Sequence, residues 1–234
     1  MSADITGRIS SFQTLGTLDG PGVRFVVFLQ GCPLRCVCCH NPETWDKNGG
    51  TLYTAEQVLD RVLRYKAYFG EKGGITLSGG EPLLQPEFTA EVFKLCRQNG
   101  INTCLDTSGC VTEVNNVLDY TDYCLLDIKY STDDYYKKYV GCGIDGPLMF
   151  LKRLDEKGIP TRVRQVIIPG LNDTAEDMKK LKSAVSKYYC VEEIELLPFR
   201  KLCISKYEKA GIDFLFKDTP EASQSLIDNL KNYL

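Results

Sequence analysis

Short apolar or β-branched runs alternate along this chain with stretches whose apolar residues recur at helical spacing. The runs Arg24–Leu29, Gly74–Leu77, Asn102–Asp106, Tyr123–Asp127, Arg162–Ile168 and Glu193–Pro198 are bounded by Gly, Pro, Asp or Asn and predict strands. Helices are predicted over Thr54–Phe69, Pro86–Asn99, Gly146–Lys157 and Thr174–Tyr189. Shorter ones are predicted at Thr112–Asp119 and Asp133–Tyr139, and a last one at Glu221–Leu234. The first opens on Thr54-Ala55-Glu56-Gln57, a capping box in which the Thr54 hydroxyl and the Gln57 amide satisfy end donors reciprocally. Asn172-Asp173-Thr174 offers caps before the fourth.

Six strand-then-helix units imply a parallel sheet with helical crossovers. Six are too few for the eight of a closed barrel. The expected class is therefore α/β, a partial (β/α)6 TIM-type barrel with a C-terminal helical extension; a flat doubly wound sheet shares the strand count. One domain is expected over residues 1–234, with its core at about 20–200 and the extension at about 201–234. The 43% hydrophobic and 25% charged residues suit a globular chain, and a net charge of −3 gives no sign of nucleic-acid binding. No apolar run approaches the roughly 20 residues of a membrane span, and Met1–Arg8 lacks the apolar stretch of a secretory signal. A cytoplasmic protein without membrane contact is expected.

Within a reducing cytoplasm, the cysteines change the picture. There are 11, an odd number, which argues against a disulfide framework. Cys32, Cys36 and Cys39 form a C-x3-C-x2-C loop after the first strand. With His40 they make a Cys3His zinc set on paper. But His40 directly follows Cys39, adjacent residues rarely chelate one tetrahedral ion together, and no second ligand pair lies downstream. An electron-transfer ferredoxin uses four cysteines per [4Fe–4S] cluster. Three would leave one iron open to a small molecule, so the loop favours a cluster with chemistry at that iron over a zinc-stabilised binding module. Cys96 is expected on a helix and Cys104 and Cys124 on strands, all buried; Cys110, Cys142, Cys190 and Cys203 are expected as exposed loop thiols.

In barrel-like α/β proteins, chemistry gathers at the carboxyl ends of the strands. Here those ends deliver Gln30, Gly31 and the cysteine loop, then Ser78-Gly79-Gly80-Glu81, Asp106-Thr107-Ser108-Gly109, Asp127-Ile128-Lys129 and Pro198-Phe199-Arg200-Lys201, while Arg164 sits inside the fifth strand. Gly79-Gly80 reads either as a plain turn or as a place where a ligand meets the main chain with no Cβ in the way. Asp106 and Asp127 read as caps, or as carboxylates that want a cation, whether a metal ion, an ammonium or Lys129. Arg164 reads as the partner of a buried carboxylate or as a bidentate receptor for a substrate carboxylate.

The strings Asp19–Phe25, Cys39–Trp45, Thr103–Thr107, Leu126–Lys129, Ile167–Gly170 and Glu195–Pro198 occur in order around the cysteine loop and Ser78–Glu81. Together they resemble the radical S-adenosylmethionine (SAM) superfamily, and within it the glycyl-radical-enzyme activases. The resemblance implies one [4Fe–4S] cluster on Cys32, Cys36 and Cys39, with SAM chelating the fourth iron. It implies SAM contacts from Gly79, Gly80, Glu81, Asp127, Ile128 and Lys129. Cys38, His40, Asp106, Thr107, Arg164 and Arg200 complete the candidate SAM site, and a monovalent cation is implied near Asp106, Thr107 and Asp127. Asp19, Gly20, Pro21 and Gly22 resemble a loop near the partner's glycine segment.

The implied activity is reductive cleavage of SAM to a 5′-deoxyadenosyl radical, which takes a Cα hydrogen from a glycine of a partner glycyl radical enzyme. Flavodoxin or ferredoxin is the expected electron donor, since no second cluster motif is present. His40 runs directly through Asn41–Trp45 toward the first helix without a ferredoxin-like insert. That favours the short type, with pyruvate formate-lyase as partner; another glycyl radical enzyme or a small-molecule substrate is the alternative. Two departures stand out: Cys38 replaces an aromatic residue usual in relatives, and Arg200 replaces a histidine.

Overall fold

The computed structural model describes residues 5–111, 114 and 116–234. Its strands and α-helices follow in the order β1 (Thr6–Gly16), β2 (Arg24–Leu29), β3 (Thr51–Thr54), α1 (Ala55–Leu63), β4 (Gly74–Gly79), α2 (Pro86–Gln98), β5 (Asn102–Thr107), β6 (Tyr123–Asp127), α3 (Asp133–Tyr139), α4 (Asp145–Glu156), β7 (Thr161–Ile167), α5 (Ala175–Val185), β8 (Val191–Pro198), α6 (Ile204–Ala210) and α7 (Gln224–Lys231). The sheet has the strand order β3-β1-β2-β4-β5-β6-β7-β8. The six expected strands are β2 and β4 to β8, the α/β partial-barrel class holds, and α6 and α7 supply the helical extension. The chain divides into two compact units, one of residues 1–33, 44–107 and 111–125, the other of residues 34–43, 108–110 and 126–234.

In the first unit β2, β4 and β5 pair in parallel. Their apolar runs are buried almost without a break, as strands covered on both faces must be. β1 and β3 were not expected. They add antiparallel edges, β1 against β2 and β3 against β1. Most of β1 is half-exposed or exposed, so its sequence carries little apolar signal. β3 is four residues long and ends on Thr54, which also caps α1. That capping box forms: Gln57 N–H donates to Thr54 Oγ1 at 3.2 Å and Thr54 N–H to Gln57 Oε1 at 3.0 Å. α1 stops at Leu63, and a separate 3-10 turn covers Lys66–Tyr68, where one helix to Phe69 was expected. The helix expected at Thr112–Asp119 falls partly outside the described residues; a 3-10 turn covers Val117–Tyr120.

In the second unit β7 and β8 pair in parallel. β7 alternates strictly: Val163, Gln165 and Ile167 are buried, and Arg162 and Arg164 take the other face. Thr174 caps α5 through a second capping box, with Asp177. α6 was missed because only seven residues carry its pattern; Gly211 in the left-handed region closes it.

Candidate active site

At the strand ends of the first unit the chain comes very close to itself. Gly79 has φ +100°, and a Cβ there would stand 2.5 Å from the Leu29 nitrogen; one on Gly80 would overlap the Gly31 carbonyl oxygen. The Gly80 and Glu81 N–H groups donate to the carbonyls of Leu29 and Gly31, each at 2.9 Å. The glycines thus let two strand ends meet main chain to main chain. With those amides occupied, recognition by this turn falls to its carbonyl oxygens. Buried Glu81 accepts from Leu83 N–H at 3.2 Å and from the Thr107 hydroxyl at 2.7 Å. Ser78, to which the sequence assigned no role, donates its hydroxyl to Asp106 at 2.7 Å. Cys32 is half-buried just past β2.

The Asp19–Gly22 loop of the same unit rests on Arg24, which is fully buried. Its guanidinium donates to Pro21 O and Lys72 O (both 3.2 Å), Asn102 Oδ1 (2.9 Å), Thr76 Oγ1 (3.0 Å) and the Ile75 carbonyl. Thr76 in turn donates to Asp19 O at 2.7 Å. Burial lowers the Arg24 pKa, with Cys104, Asp122, Asp19 and Cys96 pulling the other way. The sequence offered Arg24 only as part of a string.

In the second unit Cys36, Cys38 and Cys39 share a tight turn, in which Cys39 N–H donates to Cys36 O at 3.1 Å. Asn41 N–H donates to the Cys39 sulfur at 3.4 Å. The loop is fastened to the end of α3 by Arg35 N–H on Val140 O (3.3 Å) and Val37 N–H on Tyr139 O (3.0 Å). His40 Nε2 lies 3.0 Å from the Arg200 carbonyl oxygen. The Arg200 guanidinium turns to Ala222 O at 2.8 Å and to Glu221 at 3.5 Å. Burial pushes the Cys38 thiol up to about 11, against the pull of Lys129.

Asp127 stands between two cations, with Oδ1 at 2.9 Å from Arg164 Nε and Oδ2 at 2.6 Å from Lys129 Nζ. Burial alone would raise its pKa; Arg164 and then Lys129 outweigh it and hold the carboxyl down to about 2. Burial likewise works against the Lys129 charge, but Asp127 and then the Cys36 and Cys38 thiols hold its pKa well above the usual lysine value. Arg164 thus pairs with the Asp127 carboxylate, one of the two readings open for it. Ile128 is buried; its N–H donates to Arg164 O at 3.0 Å and its carbonyl accepts from Gln165 at 3.0 Å. Lys129 N–H donates to the Tyr136 hydroxyl at 2.8 Å. Sequence reasoning missed Tyr136, although the tyrosine-rich run Tyr135, Tyr136, Tyr139 beside Lys129 was a signal.

The four cysteines expected as exposed loop thiols need correction. Cys190 and Cys203 are buried, 7% and 1% exposed: Cys190 stands just before β8, with its N–H on Asp155 Oδ1 at 2.8 Å and its carbonyl accepting from Thr161 N–H at 2.8 Å, and Cys203 is the N-cap of α6. Cys110 and Cys142 are half-buried, with their sulfurs 2.9 Å apart. Cys96, Cys104 and Cys124 are buried as expected. Among the described residues, no group of three or more His, Cys, Asp or Glu side chains stands arranged to hold a metal ion.

The sequence profile of the Radical SAM superfamily matches residues 26–182. The chain belongs to the radical SAM superfamily. Over 232 residues this radical SAM chain is 44% identical to the pyruvate formate-lyase-activating enzyme of Clostridium pasteurianum, covering 98% of each chain. It is 36% identical to the pyruvate formate-lyase 1-activating enzyme of Escherichia coli K12, covering 98% of this chain and 96% of the other. Among solved structures, a domain of pyruvate-formate lyase-activating enzyme from Bacteroides vulgatus aligns at TM-score 0.57 and 24% identity, over 69% of this chain and 92% of that one. Streptococcus suis SuiB bound to its precursor peptide SuiA aligns at TM-score 0.68 and 15% identity, over 91% and 46%. These two likenesses bear on the fold.

Radical SAM membership implies a [4Fe–4S] cluster and SAM. The donor chemistry fits a cluster: Cys32, Cys36 and Cys39 are half-buried thiols, a backbone N–H donates to the Cys39 sulfur, and Cys36 is among the charges that raise the Lys129 pKa. Among the described residues, no helix is long and apolar enough to cross a membrane.

Proposed function

We propose that this chain activates pyruvate formate-lyase by installing a glycyl radical on it, the whole chain serving as one functional domain. The observation that carries this reading is the three-thiol loop in a chain matched end to end by pyruvate formate-lyase-activating enzymes. Cys32, Cys36 and Cys39 hold the cluster. Cys38 is set aside because the C-x3-C-x2-C spacing ends on Cys39. When bound, the cluster would supply one electron, drawn from a reduced flavodoxin or ferredoxin, for the cleavage of SAM to methionine and a 5′-deoxyadenosyl radical, which would take the Cα hydrogen of the partner glycine and leave as 5′-deoxyadenosine.

The chain's own groups bind and orient. Carbonyl oxygens of the Gly79-Gly80-Glu81 turn accept from the SAM ammonium, and Glu81 is fixed for this by Thr107. Lys129 offsets the negative charge of the thiolate loop, while Asp127, clamped by Arg164, keeps Lys129 charged and in place. Asp106, Thr107 and Asp127 supply oxygens for a monovalent cation. Cys38, His40, Ile128 and Arg200 border the nucleotide through their main chain, and Asp19–Gly22 receives the partner's glycine segment. Holding SAM in one orientation supplies the effective concentration the step needs.

The test is anaerobic incubation of reconstituted protein, SAM and reductant with pyruvate formate-lyase. A glycyl radical doublet by electron paramagnetic resonance (EPR) is expected, matched by equal 5′-deoxyadenosine and methionine. SAM cleavage without that signal would reject the partner, and no cleavage would reject the chemistry. Cys36→Ser is expected to lose cluster absorbance and SAM cleavage together.

A further inference from the structure

Tyr130 follows the Asp127-Ile128-Lys129 run directly and is 1% exposed. Its ring stands edge-on to Tyr135 at 5.9 Å and to Tyr136 at 6.3 Å, and tilted to Tyr139 at 5.5 Å. Its hydroxyl is buried and finds no hydrogen-bond partner among the described residues. Buried hydroxyls are nearly always satisfied, so an orphan implies an acceptor that the polypeptide does not itself supply.

The surroundings say what that acceptor is. Tyr136, one of the rings against Tyr130, has its hydroxyl engaged by Lys129 N–H. Tyr139, another, holds Val37 through its carbonyl, and the next residue, Val140, holds Arg35 in the same way. The tyrosine group is therefore fastened to the cysteine loop on both sides of Cys36. Burial first, and then the charges of Cys38 and Cys36, push the Tyr130 pKa up, so the phenol stays neutral and keeps its O–H to donate.

We propose that the Tyr130 hydroxyl donates a hydrogen bond to the sulfur shell of the [4Fe–4S] cluster carried by Cys36, and thereby sets the cluster's reduction potential. This rests on the ligand assignment proposed above. Reduction adds one negative charge to the cluster, so a donor to its sulfurs stabilises the reduced form more than the oxidised form and raises the potential. Tyr130 is a positioning and tuning residue, not a catalytic one. Its removal makes the cluster harder to reduce.

Tyr130→Phe deletes only the hydroxyl, and half-buried Tyr135→Phe serves as the control. Both are reconstituted anaerobically without SAM and titrated redoxically, with the reduced cluster read by EPR. At a fixed potential, the reduced-to-oxidised ratio is expected to fall roughly five- to tenfold in Tyr130→Phe, the size of one ordinary hydrogen bond. Tenfold is about 59 mV for a one-electron couple. Tyr135→Phe is expected to leave the ratio unchanged. Replacing Tyr130 by 3-fluorotyrosine, a more acidic donor, is expected to move the ratio the opposite way.

An unmoved ratio in Tyr130→Phe overturns the proposal, as does a shift of the same sign in both replacements. If Tyr130→Phe fails to take up a cluster, the fluorotyrosine protein decides alone, and an unmoved ratio there overturns the proposal. Wild-type protein that binds no cluster would overturn the ligand assignment instead, which is a separate result.

Discussion

Asp127→Asn removes a charge while leaving the side-chain volume nearly unchanged. Asp127 separates two cations that are themselves poorly hydrated: the Arg164 and Lys129 side chains are 11% and 22% exposed. The amide keeps one acceptor and withdraws the Asp127 counter-charge from both cations. Removing one partner of a buried ion pair costs about 3–5 kcal/mol; with some water at Lys129, about 2–4 kcal/mol is expected here. Titration gives a second handle on the same interaction. The folded carboxyl is held at about 2, against about 3.9 in an unfolded chain. A depressed carboxylate adds stability that is complete above the unfolded value and is lost as pH falls through the folded one. That window runs from about pH 4 to about pH 2 and carries roughly 2.5 kcal/mol. The assay is urea denaturation of the cluster-free protein from neutral pH downward, with hydrogen exchange at the Ile128 amide reporting on β6 and β7. The variant should be weaker at neutral pH, and the two proteins should converge across that window. A loss under about 0.5 kcal/mol, or a gap that persists at the acid end, would refute charge pairing as what holds Lys129 in place.

Gly80→Ala drives a Cβ into the Gly31 carbonyl, which is backbone and cannot swing away. A loss of about 2–3 kcal/mol is expected by thermal unfolding, and an unchanged Tm would show that the turn has slack. Arg24→Met strips hydrogen bonds from Pro21, Lys72, Asn102, Ile75 and Thr76 at once. It should cost about 3–5 kcal/mol and speed proteolysis at Asp19–Gly22; cleavage at the wild-type rate would count against the support ascribed to Arg24. Exposure of the cluster-free protein to oxidised glutathione should link Cys110 to Cys142, with release of two reduced glutathiones per disulfide. Intact mass should fall by two hydrogens, an outcome that Cys142→Ser should abolish.

The parallel strands were legible because a strand covered on both faces must be apolar along its length, and RFVVFL shows that directly. Edge strands face no such demand, so β1 and β3 left little trace. Capping signals placed the starts of α1 and α5 correctly but not their ends, because Thr54 and Thr174 act locally whereas packing decides where a helix stops. At the site, sequence order identified which residues stand at strand ends. It did not identify their partners. Gly79-Gly80 was read either as a plain turn or as room for a ligand, and the space beside its Cα atoms is filled by Leu29 and Gly31. The pairing of Ser78 with Asp106 depends on residues that the sequence gives no reason to join. Cys203 looked like a loop thiol because its seven-residue helix was too short to recognise.

A loop clamped from within, as Asp19–Gly22 is by Arg24, has one shape before anything lands on it. Loss of freedom on encounter is then confined to the incoming chain. Under the docking proposed above, partners offering segments of similar chemistry but different stiffness would differ in residence time through their own flexibility, because this loop presents the same hydrogen-bonded shape to each.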